Sequence, residues 1–496
     1  MKPDSMSELI IYNTLGRKLE PFKSLVPQKV GMYVCGPTVY GPPHLGHVRG
    51  PIVFDVLRRY LSFKDYQVRF VRNITDVGHL VGDADEGEDK LQKQAKLEQL
   101  EPMEVAQSYT DQYNWAMDQL NVQRPSIEPK ASGHIIEQIE MIQSIIDKGY
   151  AYEVNGSVYF DVSAYSKKHN YGELSGRNTE DLIAGAGNES RSLEGQEEKK
   201  SPNDFALWKQ ATPEHIMQWT SPWGKGYPGW HIECSAMSAK YLGESFDIHG
   251  GGMDLLFPHH ECEIAQSISA HNNEPARYWV HHNMITINGQ KMAKSLNNGI
   301  KVTELFEGQH PLLSRGFGPK TLRFFVLQAH YRGTLDFSEE ALLASEKGMK
   351  RLESAIGLIK NLKTSDSATI KVDDIKSAIF DALNDDLNTP IVIAHLFELA
   401  RRIQIVNDGK ETISIEMRDD LDQLMHQVYY NILGMPKIND DSSQNNLNEV
   451  MNLVTDIRSS AKIEKNYELS DMIRDRLKAA GITLMDSKEG TTWKID

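Results

Sequence analysis

The chain has 496 residues, 40% hydrophobic and 25% charged, with a formal net charge of −15 and three cysteines; that length calls for three or four cores rather than one. No apolar run approaches the ~20 residues of a membrane span, and the acid-containing Met1–Asn13 lacks an apolar signal core. An odd, sparse cysteine set argues against a disulfide framework and for a reducing cytoplasm.

In chain order, Val30–Cys35 reads as a strand with Val30, Met32 and Val34 on one face. A Gly/Pro-rich turn to Gly46 follows, and then a helix over Val48–Phe63 with Val53, Val56, Leu57, Tyr60 and Leu61 at helical spacing. Gln67–Ile74 is a second strand, which completes a βαβ unit and implies a parallel sheet. The pattern changes after residue 102. Amphipathic helices are expected at Met103–Leu120 and His134–Lys148, a hairpin around Asn155-Gly156, and a polar loop over Ala186–Asp204. This block, 103–209, reads as an insertion that splits a catalytic domain into halves 1–102 and 210–300. A mixed segment, 301–338, leads to a helical region, 339–438, with helices at Glu339–Leu362, Ile375–Leu387 and Thr389–Asp408. A linker over Asn439–Asn446 precedes a small unit, 447–496, with helices at Leu447–Glu464 and Tyr467–Ala480 and a strand pair ending at Trp493. The overall acidity argues against nucleic acid as a partner, yet a local basic face suffices to bind phosphates. Met451–Asp496, with eight basic and eight acidic residues, is neutral and permits RNA.

Pro258-His259-His260-Glu261-Cys262-Glu263 reads as the start of a helix, with Pro258 at its first position and His259 and Glu263 four apart on one face. With Cys35 at the first strand end and Cys234 in Trp230-His231-Ile232-Glu233-Cys234, they form a plausible soft and borderline metal shell. Spacing leaves another reading equally open: two small buried thiols and a helix-capping histidine. Cys262 lies off that face and reads as structural. Of the seven histidines between His231 and His282, His271, His281 and His282 read as satisfied polar residues rather than ligands. His249-Gly250-Gly251-Gly252-Met253-Asp254 reads as a glycine-rich turn, and Asp83–Asp89 as an acidic, solvated loop.

Two further strings stand far apart and in order: His44-Leu45-Gly46-His47 at the strand-to-helix junction, and Lys291-Met292-Ala293-Lys294-Ser295 after Asn288-Gly289. As a pair they resemble the nucleotide-binding signatures of class I aminoacyl-tRNA synthetases, and the surrounding residues make the chain similar to the cysteinyl-tRNA synthetases of bacteria. The resemblance implies an α/β fold: a Rossmann-like parallel-sheet catalytic domain with an inserted connective domain, then a helical anticodon-binding bundle and a small C-terminal tRNA-binding domain. Asp381–Pro390, Leu469–Asp475 and Gly490–Trp493 carry its downstream part. It implies one Zn²⁺ held by Cys35, Cys234, His259 and Glu263, and contact with the substrate cysteine from Gly36, Thr38, Thr75, Trp230 and His231. It implies ATP bound by His44, His47, His249, Gly250, Gly251, Asp254, Lys291 and Lys294, with His44, His47, Lys291 and Lys294 catalytic and Mg²⁺ accompanying the nucleotide.

The implied activity is a cysteine–tRNA ligase with tRNA(Cys), L-cysteine and ATP as partners, acting as a cytoplasmic monomer. Two departures from the family pattern are Ala293 in place of a common serine, and the run after Asp76, which lacks the usual Asp-Asp-Lys. The rivals are a ligase that passes activated cysteine to a small amino-sugar acceptor and a non-catalytic RNA-binding paralogue. The intact signatures and the long downstream region weigh against both.

Overall fold

A computed structural model describes residues 8–77, 90–177, 198–213, 215–292, 298–437, 441–487 and 490–495. The expected acidic loop at 83–89 and most of the polar loop after 186 lie outside these residues, as does Lys294. The chain divides into two units, Met1–Met435 and Pro436–Asp496.

At the centre of the first unit is a four-stranded parallel sheet of β1 (Lys29–Val34), β2 (Gln67–Arg72), β3 (Phe246–Gly252) and β4 (Ala276–His282), in the spatial order β4-β3-β1-β2. Strand order reverses between β1 and β3, where Met32 pairs with Ile248 and Val34 with Gly250. A crevice at the carboxyl ends of strands on either side of such a reversal is the usual ligand site of open α/β sheets. Helix α1 (Arg49–Phe63) connects β1 to β2, and Val53, Val56, Leu57, Tyr60 and Leu61 are all buried in the core beside the sheet. Helix α2 (Trp230–Leu242) leads into β3, and α3 (Glu261–His271) connects β3 to β4.

The glycine-rich run is the end of β3 rather than a turn. Its missing side chains make room for neighbouring rings: a Cβ on Gly250 would lie 2.3 Å from the Phe54 ring, and one on Gly251 2.7 Å from that of His260. The expected helix start at Pro258 also shifts. Leu256–His260 forms a wide helical turn broken at Phe257, whose φ of −141° is extended, and regular helix begins at Glu261.

The insertion contains helices Pro102–Gln119 and Ile135–Asp147 and a five-stranded antiparallel sheet. That sheet takes Ala151–Val154, Ser157–Phe160 and Phe205–Gln210, then two strands beyond the expected boundary at 209, Gly224–Pro228 and Trp219–Ser221. Trp208 opposite Pro228 and Gln210 opposite Gly226 carry the pairing past it.

Beyond β4, Ile285–Ile287 turns back through Asn288-Gly289, both at positive φ, to pair with Gln290–Lys291. It also pairs in parallel with Leu335–Phe337, so the mixed segment after 301 closes onto the catalytic half. Helices α4 (Glu339–Ile359), α5 (Asp373–Asn384), α6 (Thr389–Asn407) and α7 (Ile415–Met425) form the helical region. A buried ion pair ties α1 to this part of the unit: Arg323 bonds Asp55 at 2.5 Å and the Leu433 carbonyl at 2.9 Å. The second unit has helices Asp441–Ile463 and Tyr467–Ala479 and the strand pair Ile482–Ser487 with Gly490–Ile495. Residues 441–446, read as linker, belong to the first of these helices.

Candidate active site and metal centre

A cleft of about 410 Å³ opens at the carboxyl ends of β1 and β3. Cys35, Gly36, Thr38, Thr75, Trp230, Cys234 and His259 line one part of it; His44, His47, Gly251, Asp254 and Lys291 line the rest. His231, His249, Gly250 and Glu263 do not line it, and His231, His249 and Glu263 are buried around it.

Backbone shape makes the first wall. Gly36 donates to Asn73 Oδ1 at 2.9 Å, and a Cβ there would stand 1.6 Å from the Asn73 carbonyl oxygen, so only glycine fits. Thr38 bridges to Thr75 in parallel, and the buried Thr75 hydroxyl donates to Glu233 at 3.1 Å.

Cys35, Cys234, His259 and Glu263 offer one ligand atom each, all within 4.8 Å of one another. Two Zn–S bonds at a tetrahedral angle put sulfurs about 3.8 Å apart; Cys35 Sγ and Cys234 Sγ are 3.9 Å apart. Glu263 reaches His259 Nε2 at 3.1 Å through Oε1 and His249 Nε2 at 2.8 Å through Oε2. The ring of His259 stacks on Trp230 with centroids 4.5 Å apart, and its Nδ1 meets His231 Nδ1 at 2.9 Å. An outer partner of this kind fixes the orientation of a metal-binding imidazole.

Burial, then Cys234 and Glu263, raise the Cys35 thiol well above its ordinary value. For Cys234 the contact with Cys35 lowers the value, but burial and the Glu263 and Glu233 carboxylates outweigh it and the net shift is upward. Two thiols packed against a carboxylate out of water call for a cation, so the donor chemistry fits zinc. A second set, Cys35, His249, His260 and Glu263, is equally compact. It has one thiol instead of two, neither His249 nor His260 lines the cleft, and His260 Nδ1 is engaged by His281 at 2.7 Å.

His44 and His47 flank the turn before α1, their rings stacked 3.8 Å apart. His44 Nδ1 accepts the Gly46 N–H at 3.1 Å, and His47 Nδ1 accepts that of His44 at 3.2 Å. Each ring proton therefore sits on Nε2. Burial and the adjacent His44 lower His47 to about 3, so it is neutral at physiological pH. Lys291 is exposed at the end of its hairpin.

Of the remaining histidines, His281 bonds Thr14 at 2.8 Å, His282 the Asn283 carbonyl at 3.0 Å, and His271 lies 3.7 Å from Glu244. Cys262 lies 3.4 Å from the Tyr171 hydroxyl in the insertion core. Sequence reasoning passed over His260, 3.3 Å from Cys35 Sγ, and Arg49, which lines the cleft. Arg49 stands two residues after a signature, but nothing in its spacing announces burial.

Comparison with known proteins gives this geometry its context. Residues 21–347 match the model for the tRNA synthetases class I (C) catalytic domain, and residues 379–437 the DALR domain. The chain is 56% identical over 490 residues to a cysteine–tRNA ligase of Porphyromonas gingivalis, covering 98% of this chain and 99% of that one. It is 46% identical over 499 residues to a cysteine–tRNA ligase of Chlorobaculum tepidum, covering 98% and 99%. Among solved structures, the fold is similar to Mycobacterium tuberculosis methionyl-tRNA synthetase in complex with methionyl-adenylate, with TM-score 0.55, 13% identity and coverage of 82% and 89%. It is also similar to a putative arginyl-tRNA synthetase from Campylobacter jejuni, with TM-score 0.53, 14% identity and coverage of 82% and 93%. The chain belongs to the cysteine–tRNA ligase family of class I aminoacyl-tRNA synthetases.

Proposed function

We propose that the chain activates L-cysteine with ATP and passes it to the 3′ end of tRNA(Cys), selecting the amino acid by its thiol at a zinc held by Cys35, Cys234, His259 and Glu263. The observation that carries this reading is the convergence of that donor set, with Cys35, Cys234 and His259 on the cleft that His44, His47 and Lys291 also line and Glu263 buried beside it.

Apolar pockets separate near-isosteres by only ~1–3 kcal/mol, too little to tell cysteine from serine reliably. Bound zinc favours a thiolate over a hydroxyl ligand. Trp230 and Thr75 border the same wall and set the orientation of the amino acid, while His231 acts from behind through His259. The cysteine carboxylate attacks the α-phosphate of ATP, the bond from the α-phosphate to the bridging oxygen breaks, and pyrophosphate leaves. A terminal ribose hydroxyl of the tRNA then attacks the acyl carbon and releases AMP.

Charge grows on the phosphates in the first step, and preorganised donors aimed at it are commonly the largest catalytic contribution. The Nε2–H groups of His44 and His47 and the cations of Lys291 and Lys294 supply them; Mg²⁺ enters with the nucleotide. His249 and Gly250, at the end of β3 behind the cleft wall, and Gly251 and Asp254, which line the cleft, make the adenosine side of the site. The helical region and the second unit carry the tRNA beyond its acceptor end.

We place the enzyme in the cytoplasm as a monomer. None of its three cysteines is in a disulfide, and no described helix is long and apolar enough to cross a membrane. The test is pyrophosphate exchange into ATP with zinc-loaded protein and each amino acid in turn, then charging of total tRNA. Exchange with cysteine alone, followed by charging, is expected. Exchange without charging would move the answer to a small-acceptor ligase, and no exchange at all to an RNA-binding paralogue.

A further inference from the structure

Arg49 begins α1 two residues after His47, and its side chain is almost wholly out of solvent, at 1% exposure. A cation at the start of a helix opposes the helix dipole, and burying one without an acid is costly. No carboxylate among the described residues pairs with it. Its guanidinium instead spends four hydrogen bonds on main-chain carbonyls of two separate segments. Nη1 donates to Asn283 at 3.0 Å and Met284 at 2.6 Å; Nη2 donates to His330 at 3.0 Å and Gly333 at 2.5 Å. Burial lowers the group to about 10, which leaves it charged at neutral pH.

These carbonyls mark the roots of the element that carries Lys291. Met284 immediately precedes Ile285–Ile287, the strand that pairs with Gln290–Lys291, and Gly333 lies just before its other neighbour, Leu335–Phe337. The grip is reinforced from outside. Asp336 accepts from Thr286 Oγ1 at 2.6 Å and from the Gly289 N–H at 2.7 Å. The loop at 330–333 is anchored in turn, because Tyr331 and Arg332 bond opposite oxygens of Asp386 at 2.5 and 2.6 Å.

We propose that Arg49 is a positioning residue for adenylate formation, one that sets the Lys291 hairpin in register with the His44–His47 turn. Its planar, forked donors hold at once the two segments that lead into the paired strands, which a lysine cannot reproduce. Because it acts on the hairpin, its contribution falls on the phosphate chemistry and leaves cysteine recognition alone. The inference rests on Lys291 acting on the phosphates of ATP.

The test is a double-mutant cycle on cysteine-dependent pyrophosphate exchange with the full-length, zinc-loaded protein: Arg49→Lys, Lys291→Ala and both together. Misplacement by about 1 Å costs about 10²-fold. Arg49→Lys is accordingly expected to lower kcat by roughly 10–100-fold with the KM for cysteine within about twofold, and to cost far less once Lys291 is alanine. Asp336→Asn, which loosens the same hairpin at an exposed position, is expected to give the same signature more weakly and guards against a folding defect at Arg49. Equal losses from Arg49→Lys in both backgrounds, or a rise in the KM for cysteine that accounts for the loss, would overturn the proposal. Normal exchange by Lys291→Ala would instead defeat the reading of the hairpin itself, and the proposal with it.

Discussion

At one wall of the cleft, the donors of Cys35, Cys234 and the His259–Glu263 pair arrive from three places in the chain and meet within 4.8 Å, three of the four residues buried. On the opposite side, Lys291 rides an exposed two-residue strand that is fixed at its roots by Arg49 and Asp336. The first arrangement suits recognition of a small, invariant side chain, for which rigidity costs nothing. The second suits a ligand whose charge changes during the reaction, where long cations must follow the phosphates. On the proposed function, specificity and rate belong to different mechanical settings of one cleft, and substitutions should separate them.

The largest expected effect is that of Cys234→Ala. It should abolish stoichiometric zinc binding, read by elemental analysis, and reduce cysteine-dependent exchange by well over the roughly 10–100-fold that losing an outer partner costs. Lys291→Ala should leave zinc content intact and lower kcat by about 10²–10³-fold, the usual loss when one preorganised donor to developing charge is removed. If Lys291→Ala released zinc, the two walls would not be independent. His231→Ala removes the ring that meets His259 Nδ1. It should weaken zinc by about 10–100-fold in a chelator competition while phosphate chemistry in the zinc-saturated protein survives. Trp230→Phe retains an aromatic face against His259, and its effect should be the smallest, a rise of less than about tenfold in the KM for cysteine with kcat little changed.

Much of this was legible before any coordinates because the decisive signals are local. The period-2 pattern of Val30, Met32 and Val34 and the helical spacing of Val53 to Leu61 located the first βα unit. The Asn-Gly pair at 155–156 marked a real turn, and the pair at 288–289 makes another, each at positive φ. What escaped depended on partners distant in sequence. Gly250 and Gly251 read as a turn because glycine weakens a strand taken in isolation; the rings of Phe54 and His260 fill the space and restore the strand. Trp219–Ser221 is too short and Gly224–Pro228 too rich in glycine to show a period, and only pairing defines them, the second with Phe205–Gln210 and the first with the second. Arg49 was invisible for the same reason, since its partners lie 234 to 284 residues away.

The sheet order has a consequence for biosynthesis. Cys35 must wait for Cys234, 199 residues later, and for Glu263, 228 residues later. At translation speeds of about 5–20 residues per second, that is on the order of 10–45 s. Through that interval β1 and β2 can pair, but the edge of β1 that will receive β3 has no partner and the thiol of Cys35 has none of its final neighbours. The nascent chain therefore passes through a stage in which β1 is open to mispairing and its first cysteine to oxidation. The insertion, emerging before β3, sets how long that stage lasts.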